Sequence, residues 1–335
     1  MANSMETFLN YALQVGASDL ILSEGLVPAV RVSGLVRQVP DASKLEFGDL
    51  EKFLGPLDGE NGAFRGGPWA DMEWRVRYSR EAFGKMAILH PVGMDAPSLA
   101  SLSVPESVMS LLGVSSGIVL FAGPTSCGKT TTASAYVSEL CTQKILRASF
   151  LEGISEYRLQ TGQSLVKKNR AKVSLADEIA QNVRSGTDLF WLGDLPLESC
   201  VPMLKAAESG ALVVATVSAG SAKDVLTYLL ASETSENKKL AQTLLAANLK
   251  AIVTQRLIPS ADGTSLVPAW EVLYNDTNIA PLIHSGEYYK VPQAMRSAVS
   301  EGALPLDDSL LALVKENRIT KEVARLYAVD ETHFL

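Results

Sequence analysis

Cysteine and histidine are scarce in this chain of 335 residues. The three cysteines, Cys127, Cys141 and Cys200, are odd in number and lack C-x-x-C pairing, and the three histidines are scattered. This pattern excludes a disulfide framework and a zinc site of the usual ligand spacing. It fits a protein of a reducing compartment.

An excess of positive charge and long apolar runs are also lacking. The formal net charge is −7 and the sequence pI is about 5.2, whereas nucleic-acid phosphates are bound by clustered lysine and arginine. Apolar runs such as Ile118–Ala122 fall far short of the ~20 residues that a bilayer requires, and the first residues do not resemble a signal peptide. We therefore expect a globular cytoplasmic protein with no nucleic-acid partner and no direct membrane insertion.

The most informative segment that is present follows the apolar run Gly117–Ala122. It matches the phosphate-loop pattern G-x-x-x-x-G-K-[ST] and reads Gly123-Pro124-Thr125-Ser126-Cys127-Gly128-Lys129-Thr130. Glycines let the loop curl so that backbone N–H groups surround a phosphate. The helix that follows, with Lys129 and Thr131 in its first turn, points its N-terminus at the anion. Lys129 would supply a point charge and Thr130 a hydroxyl for Mg²⁺. We interpret residues 123–131 as a site for a nucleoside triphosphate with Mg²⁺.

The chain is 47% hydrophobic and 20% charged, and it is long enough for two domains with separate cores. Alternating apolar residues predict a small α+β domain over 1–92, followed by a Pro- and Gly-bearing linker at 93–104. Strand and helix patterns then alternate over 105–260, which predicts a doubly wound α/β core. Residues 261–335 predict a mostly helical subdomain in which Leu306, Leu310 and Leu313 form a core stripe rather than a docking site.

Further motifs occur in a characteristic order along the chain. Before the phosphate loop they are Ala17-Ser-Asp-Leu20, Leu22-Ser-Glu-Gly25, Pro28-Ala-Val-Arg31 and Trp74-Arg75-Val-Arg77. After it they are Leu151-Glu152-Gly153-Ile154-Ser155-Glu156, Val183–Asp194, Ala206–Thr216 and Asn278–Glu287. In order, spacing and content these motifs resemble the secretion and type IV pilus ATPases, most closely the PilT-type retraction motors of twitching motility.

The resemblance implies a RecA-like P-loop core, an N-terminal PAS-like α+β domain and a small C-terminal helical subdomain. In that family subunits form a hexamer, ATP lies between the N-terminal domain of one subunit and the core of its neighbour, and hydrolysis drives a pilus or pseudopilus. The implied partners are other copies of the chain, or a paralogue in a mixed ring, and an inner-membrane platform protein. The resemblance thus implies a place at the inner face of the cytoplasmic membrane.

The same resemblance implies roles for single residues. Glu152, in the acidic box, would position or activate the attacking water, and Asp194, in the Walker B segment, would hold Mg²⁺ through water together with Thr130. Arg75 and Arg77 would reach the phosphates of the adjoining subunit. Alternating arginines on the outer face of a strand are also common as solvated charges, so that interpretation stays open.

The chain departs from the family pattern at four places near the expected nucleotide. The Glu-Asp-Pro of the acidic box is Glu152-Gly153-Ile154 here, and the Walker B glutamate is Asp194, whose carboxylate is one methylene closer to the backbone. A misplacement of about 1 Å can cost on the order of 10²-fold in rate. The Leu-His-Thr of the histidine box is Val217-Ser218-Ala219, and His90 stands where another arginine is expected. The sequence therefore supports binding of ATP better than its hydrolysis.

Three functions are compatible with this pattern. The first is a slow but working motor, supported by Glu152, Asp194, Asp188 and Arg184. The second is a nucleotide-binding pseudo-ATPase that joins an active paralogue in a structural or regulatory role. The third is a P-loop kinase for a small molecule, which the N-terminal resemblance and the missing substrate-lid signals disfavour.

Two further features allow a functional and an ordinary interpretation. Cys127 lies beside Lys129 and a helix N-terminus, which would lower the pKa of an exposed thiol and make it reactive; alternatively, Cys127 is a small residue that fills space. The basic run Lys167-Lys168-Asn169-Arg170-Ala171-Lys172 is either a solvated loop or a salt-sensitive contact for an acidic platform protein or lipid headgroups.

Overall fold

The computed structural model describes residues 4–32, 34–55, 61–65, 73–81, 84–92, 94–152, 156–168, 174–231, 235–299 and 302–334. Its strands are β1 Asp19–Ser23, β2 Ala29–Val32, β3 Leu35–Gln38, β4 Asn61–Arg65, β5 Glu73–Glu81, β6 Gly84–Val92, β7 Met94–Asp95, β8 Gly117–Ala122, β9 Arg147–Phe150, β10 Tyr157–Arg158, β11 Leu165–Lys168, β12 Leu189–Asp194, β13 Leu212–Val217, β14 Leu249–Pro259 and β15 Leu266–Tyr274. Its α-helices are α1 Met5–Gln14, α2 Asp49–Leu54, α3 Glu106–Ser110, α4 Lys129–Gln143, α5 Leu175–Arg184, α6 Cys200–Glu208, α7 Ala222–Leu229, α8 Ser235–Asn248, α9 Ile279–Ser285, α10 Val291–Ser297, α11 Leu306–Lys315 and α12 Lys321–Tyr327.

The first of two compact units comprises Met1–Asp95 and Ile154–Arg158. Its main sheet has the strand order β3-β2-β1-β6-β5-β4, and all neighbouring strands are antiparallel. Alternate residues of the strands, such as Leu20, Trp74 and Leu89, pack with Phe8 of α1 in one core. Strand β10 pairs in parallel with β7, which brings the segment after Glu152 into this unit. The predicted α+β character of the N-terminal region is confirmed.

The second unit comprises Ala96–Gly153 and Leu159–Leu335. Its sheet has the order β11-β9-β12-β13-β8-β14-β15, parallel throughout except for β15. Ile118 and Leu120 of β8 join a core formed with helices such as α6 and α7. On the opposite face the ring of Phe121 lies 5.3 Å from that of Tyr136 in α4. Helices therefore cover both faces of a parallel sheet, which confirms the predicted α/β class.

Strand β14 is absent from the sequence-based prediction. It pairs in parallel with β8 and in antiparallel register with β15 from Ala251 to Pro259. The boundary expected at residue 260 thus falls inside a hairpin of the core sheet, because β15 extends that sheet. Leu306, Leu310 and Leu313 pack against this hairpin in a second hydrophobic cluster, which confirms the leucine stripe as core.

The two long helices of the second unit are α4, with 15 residues, and α8, with 14. Within the described residues, no helix combines the length and the apolar character needed to span a membrane.

Candidate nucleotide-binding site

The candidate residues of the core gather at one edge of the seven-stranded sheet. Strands β9, β12, β13, β8 and β14 are parallel neighbours in that order. Carboxyl ends of parallel strands meet at the same edge, where α/β folds place their ligands. Glu152 follows β9, Asp194 ends β12, and Gly123 opens the phosphate loop after β8. The sheet order therefore brings together residues that are far apart in sequence.

The phosphate loop leaves the sheet through Gly123. This residue has φ +153°, and an added Cβ would collide with the Cys127 sulfur and the Gln255 carbonyl oxygen. Its N–H donates to the Val217 carbonyl at 3.3 Å, which ties the loop to the end of β13. Gly128 adopts the left-handed conformation immediately before α4 begins at Lys129. The backbone thus turns tightly and directs the N-terminus of a 15-residue helix toward the loop.

Gln255 of β14 supports this loop from beneath. The Thr132 hydroxyl, in the first turn of α4, donates a 2.7 Å hydrogen bond to Gln255 Oε1, and both residues are buried. Gln255 Nε2 lies 2.9 Å from the position that a Cβ on Gly128 would occupy. The sequence analysis missed this residue. Its only sequence signal is an amide within the largely apolar segment Leu249–Ile258.

The loop residues that would contact phosphate remain accessible. Pro124, Thr125 and Ser126 are exposed, and Thr130 is half-buried. Lys129 is half-buried, and its Nζ donates to the Pro124 carbonyl over a long 3.4 Å contact. A phosphate oxygen is a stronger acceptor than this carbonyl. The Lys129 amine is thus held over the loop by a weak hydrogen bond, which a hydrogen bond to a bound phosphate can replace.

Glu152 and Asp194 lie at the carboxyl ends of β9 and β12, which are separated from the phosphate-loop strand β8 by β13. The Trp191 indole Nε1 donates a 2.8 Å hydrogen bond to Glu152 Oε2. Gly193 has φ +62°, and a Cβ there would lie 2.9 Å from the Glu152 Cβ. Thr216 donates its hydroxyl to the Gly193 carbonyl at 3.1 Å. These contacts fix the end of β12 against Glu152.

Mg²⁺ fits the donor set of this edge when it arrives with a nucleotide. Asp194 is exposed at the end of β12, and the Thr130 hydroxyl lies in the first turn of α4. Mg²⁺ prefers such oxygen donors, keeps several waters and takes the rest of its ligands from phosphates. In the described parts of the chain no group of three or more His, Cys, Asp and Glu side chains could hold a metal ion. The residues are thus suited to a nucleotide-borne ion and not to a cage made by protein alone.

The expectation that Cys127 has a lowered pKa is wrong. Cys127 is 4% exposed, and its sulfur faces Gly123 inside the loop. Burial raises the pKa of the Cys127 thiol and outweighs the opposing effects of the Lys129 backbone and charge. Cys127 therefore fills space beneath the loop, as the ordinary interpretation of this residue holds.

Asp188 lies away from the candidate site. It directly precedes β12, at the amino edge of the sheet, where its carboxylate accepts the Arg147 N–H at 2.9 Å. Its own N–H donates to the Arg147 carbonyl at 2.9 Å. Arg184 ends α5, the helix that leads to this edge. The Asp188 carboxylate thus secures the starts of β9 and β12, and both Asp188 and Arg184 lie away from the edge where the phosphate loop is. They therefore no longer support a working motor.

The two candidate arginines lie in the first unit, on β5. Trp74 and Val76 are buried and alternate with Arg75 and Arg77, which point to the other face of the sheet. Arg75 Nη1 donates to Glu156 Oε1 at 3.0 Å, whereas Arg77 is exposed. One arginine is thus engaged by a carboxylate and the other is directed to solvent.

Arg75 continues a row of charged side chains across four neighbouring strands. The register aligns Arg31 with Asp19, and it aligns His90 with Arg75. Asp19 Oδ2 lies 3.3 Å from Arg31 Nε, and Asp19 Oδ1 lies 3.4 Å from His90 Nδ1. Burial by itself lowers the pKa of His90, but the hydrogen bond to Asp19 and the nearby Glu156 carboxylate outweigh it and raise the pKa above its ordinary value. His90 thus takes a place in an ionic row on this face of the sheet.

Parts of two motifs lie outside the described residues. They are Gly153, Ile154 and Ser155 of the acidic-box segment and Asn169, Arg170, Ala171 and Lys172 of the basic run. The start of that run forms the edge strand β11, in which Lys167 Nζ donates to Asn182 Oδ1 at 3.2 Å. This contact favours a structural role for Lys167.

Comparison with known proteins agrees with the geometry of both units. Residues 94–325 match the family model described as type II/IV secretion system protein. A type IV pilus retractation ATPase, PilT, of Pseudomonas aeruginosa is 27% identical over 331 residues, which cover 95% of this chain and 96% of that protein. A type IV pilus ATPase, PilU, of the same organism is 25% identical, with 96% and 88% covered. A crystal structure of the pilus retraction motor PilT with bound ADP superposes with a TM-score of 0.77 at 25% identity and covers 96% of each chain.

Proposed function

The chain belongs to the type II/IV secretion system protein family, and from this membership we propose that it is an ATP-dependent motor of a type IV pilus or related secretion system. Its load would be a pilus or pseudopilus, and retraction is the direction suggested by the PilT relatives. The observation that carries the proposal is the placement of the phosphate loop, Glu152 and Asp194 at one sheet edge. This edge supplies both a phosphate cradle and the acidic groups that act on what it holds.

Each group in the site has a distinct task in this proposal. The loop N–H groups and Lys129 bind the phosphates, and Thr130 and Asp194 hold the Mg²⁺ that accompanies ATP. Mg²⁺ held by these residues would supply positive charge that offsets the charge of the phosphates. Glu152 orients the water that attacks the phosphate, so Glu152 is the acidic residue that acts most directly in hydrolysis. Gln255 keeps the loop in the conformation that presents its N–H groups.

The proposed motor works as a ring of identical subunits, six in number as in the family that the sequence resembles. Arg75 and Arg77 would then reach the phosphates bound by a neighbouring subunit and stabilise the charge that develops there. Their outward position on β5 supports this role because the opposite face of the strand is core. An inner-membrane platform protein would connect the ring to its load and hold it at the inner face of the cytoplasmic membrane.

Turnover is proposed to be slow. Asp194 offers its carboxylate one methylene closer to the backbone than glutamate would, and Ser218, which follows β13, supplies no imidazole at the expected sensor position. Binding requires the loop, whereas turnover requires charges and a water held in register with the transition state. The loop required for binding is intact, whereas the groups required for turnover are shortened at Asp194 and lack the imidazole at Ser218. This combination also favours a second candidate function, a nucleotide-binding pseudo-ATPase in a mixed ring with an active paralogue.

A steady-state phosphate-release assay on the assembled oligomer tests the proposal. We expect Mg²⁺-dependent turnover that Lys129→Ala and Glu152→Gln each reduce at least about 100-fold, because both remove groups needed at the transition state. Glu152→Gln should retain ATP binding, whereas Lys129→Ala should weaken it. Glu139→Gln, a half-buried change on α4 whose partner is Gln143 in a surface hydrogen bond, is the matched control. ATP binding without Lys129-dependent turnover, alone or with a paralogue present, would leave the pseudo-ATPase as the function.

A further inference from the structure

Trp191 is a fully buried side chain that makes a polar contact at the candidate site. Its Nε1 donates to Glu152 Oε2 at 2.8 Å, and the side chain itself is 0% exposed. Phe190 and Leu192, the neighbours of Trp191 on β12, belong to the core on one face of the sheet. Because side chains alternate along a strand, the Trp191 indole projects from the other face. It reaches from the protein interior to the carboxylate assigned to the attacking water.

The backbone fixes both ends of this contact. Trp191 pairs with Phe150 of β9, and the Leu151 N–H donates to the Trp191 carbonyl at 2.8 Å. Glu152 is therefore held in register with Trp191 by the ladder that joins the two strands. Its Cβ also packs closely on Gly193, where a Cβ would lie only 2.9 Å away. The carboxylate is thus located by a hydrogen bond from one residue and by steric contact with another.

Trp191 differs in its hydrogen bonding from Trp270, the other buried tryptophan of this unit. Trp270 is 4% exposed, and its Nε1 has no hydrogen-bond partner among the residues that the structure describes. The core of this unit thus contains one indole N–H that binds a carboxylate and one that is left unsatisfied. A hydrogen bond to an ionised carboxylate is roughly twice as strong as one between neutral groups. It stabilises both the charge and the direction of Glu152.

We propose that Trp191 is a positioning residue for Glu152, holding Oε2 so that the carboxylate presents a fixed direction to the attacking water. The inference rests on the proposed function, since it takes the role of Glu152 from there. Trp191 acts through Glu152 and does not touch the nucleotide. Loss of its N–H therefore lowers turnover more than it weakens ATP binding.

A spectrum of the indole N–H groups tests the contact without any need for ATP hydrolysis. The chain has four tryptophans, so a ¹⁵N-labelled sample gives few indole signals, and Trp191→Phe and Trp270→Phe assign two of them. We expect Glu152→Gln to move the Trp191 signal upfield, because a neutral amide is a weaker acceptor than a carboxylate, and to leave the Trp270 signal in place. This variant leaves the buried Trp191 unchanged. A Trp191 signal that does not move would overturn the inference.

The kinetic comparison pairs Trp191→Phe with Trp270→Phe, since both remove a buried indole from the same unit. We expect Trp191→Phe to lower kcat by about 10- to 100-fold while KM for ATP stays within about twofold, as for a lost hydrogen bond to a charged group. Trp270→Phe should change kcat by less than about threefold, and melting curves confirm that both variants fold. Equal losses in the two variants would contradict a positioning role. A wild-type oligomer without Lys129-dependent turnover would contradict the proposed function instead, and the indole spectrum would still decide whether Trp191 holds Glu152.

Discussion

The guanidinium of Arg75 donates a 3.0 Å hydrogen bond to the carboxylate of Glu156, and both side chains are largely withdrawn from solvent. Both residues belong to the first unit, although Glu156 comes from the acidic box of the sequence. The arginine proposed to stabilise phosphates of a neighbouring subunit is therefore already paired with an anion. In the proposed ring, a nucleotide phosphate would compete with Glu156 for Arg75.

We expect Glu156→Gln to favour the nucleotide in this competition. Removal of the carboxylate charge should lower KM for ATP by about two- to fivefold, because partly exposed ion pairs contribute up to about 1 kcal/mol. The measurement is steady-state kinetics on the assembled oligomer. In an Arg75→Ala background the same change should have no effect on KM. A decrease in KM that persists without Arg75 would show that Glu156 acts in another way.

Asp194→Glu should raise turnover. The extra methylene carries the carboxylate farther from β12, toward the reach that the family pattern provides, and the exposed position leaves room for it. We expect kcat to increase by about 10-fold or more, since misplacement of about 1 Å can cost on the order of 10²-fold. Asp194→Asn is the matched control and should lower the affinity for Mg²⁺. An unchanged kcat in the glutamate variant would indicate that the length of this side chain does not limit turnover.

Cys127 should resist alkylation in the folded protein. Its thiol is buried and its pKa is raised, so both access and the thiolate fraction are low. Mass spectrometry of the peptide that contains Cys127, after iodoacetamide treatment, should show little labelling in native protein and complete labelling in denaturant. Cys127→Ser should bind ATP within about threefold of wild type, because the hydroxyl is smaller than the thiol and fits in the same space. Rapid native labelling would restore the reactive interpretation.

Glu271 should make the stability of the second unit depend on pH. Burial raises the pKa of Glu271 from 4.5 to about 7, while the Ala222 N–H and the charge of Arg256 oppose this shift, and Asp224 and Asp307 add to it. Between these pH values the folded state binds more protons than the unfolded state. Proton binding at Glu271 therefore makes its full contribution to the free energy of unfolding below pH 4.5, and this contribution is lost as pH rises through about 7. Across this range it amounts to about 3 kcal/mol.

Urea denaturation of wild type and Glu271→Gln at several pH values measures this contribution. Glutamine retains an acceptor for the Ala222 N–H, which Glu271 binds at 3.3 Å. The difference in unfolding free energy between the two proteins should change steadily from pH 5 to pH 8, with the wild type losing stability relative to the variant. Parallel pH profiles would contradict a proton bound at Glu271.

Local patterns were sufficient to predict much of the core. The apolar run before Gly123 is a strand buried on both faces, and the residues after Lys129 form the helix that the phosphate-loop pattern requires. Strand β14 was missed, because Lys250, Thr254, Gln255 and Arg256 interrupt its apolar pattern. Its identity as a core strand depends on pairing with β8, in which Thr254 lies opposite Ala122, 132 residues earlier in the chain. Non-local pairing of this kind leaves little trace in the local sequence.

The sequence by itself determined the phosphate-loop chemistry, the α/β class and the family, because each depends on residue types at fixed short spacings. The tertiary structure decided which side chains meet. Sheet order placed Gln255 beneath the loop and Trp191 beside Glu152, and burial changed Cys127 from a candidate reactive thiol into a packing residue. Asp188 directly precedes β12 and Asp194 ends it, six residues later, yet they are at opposite edges of the sheet. Contacts and burial depend on strand order and on the direction in which a side chain projects, and these emerge only when the whole sheet has formed.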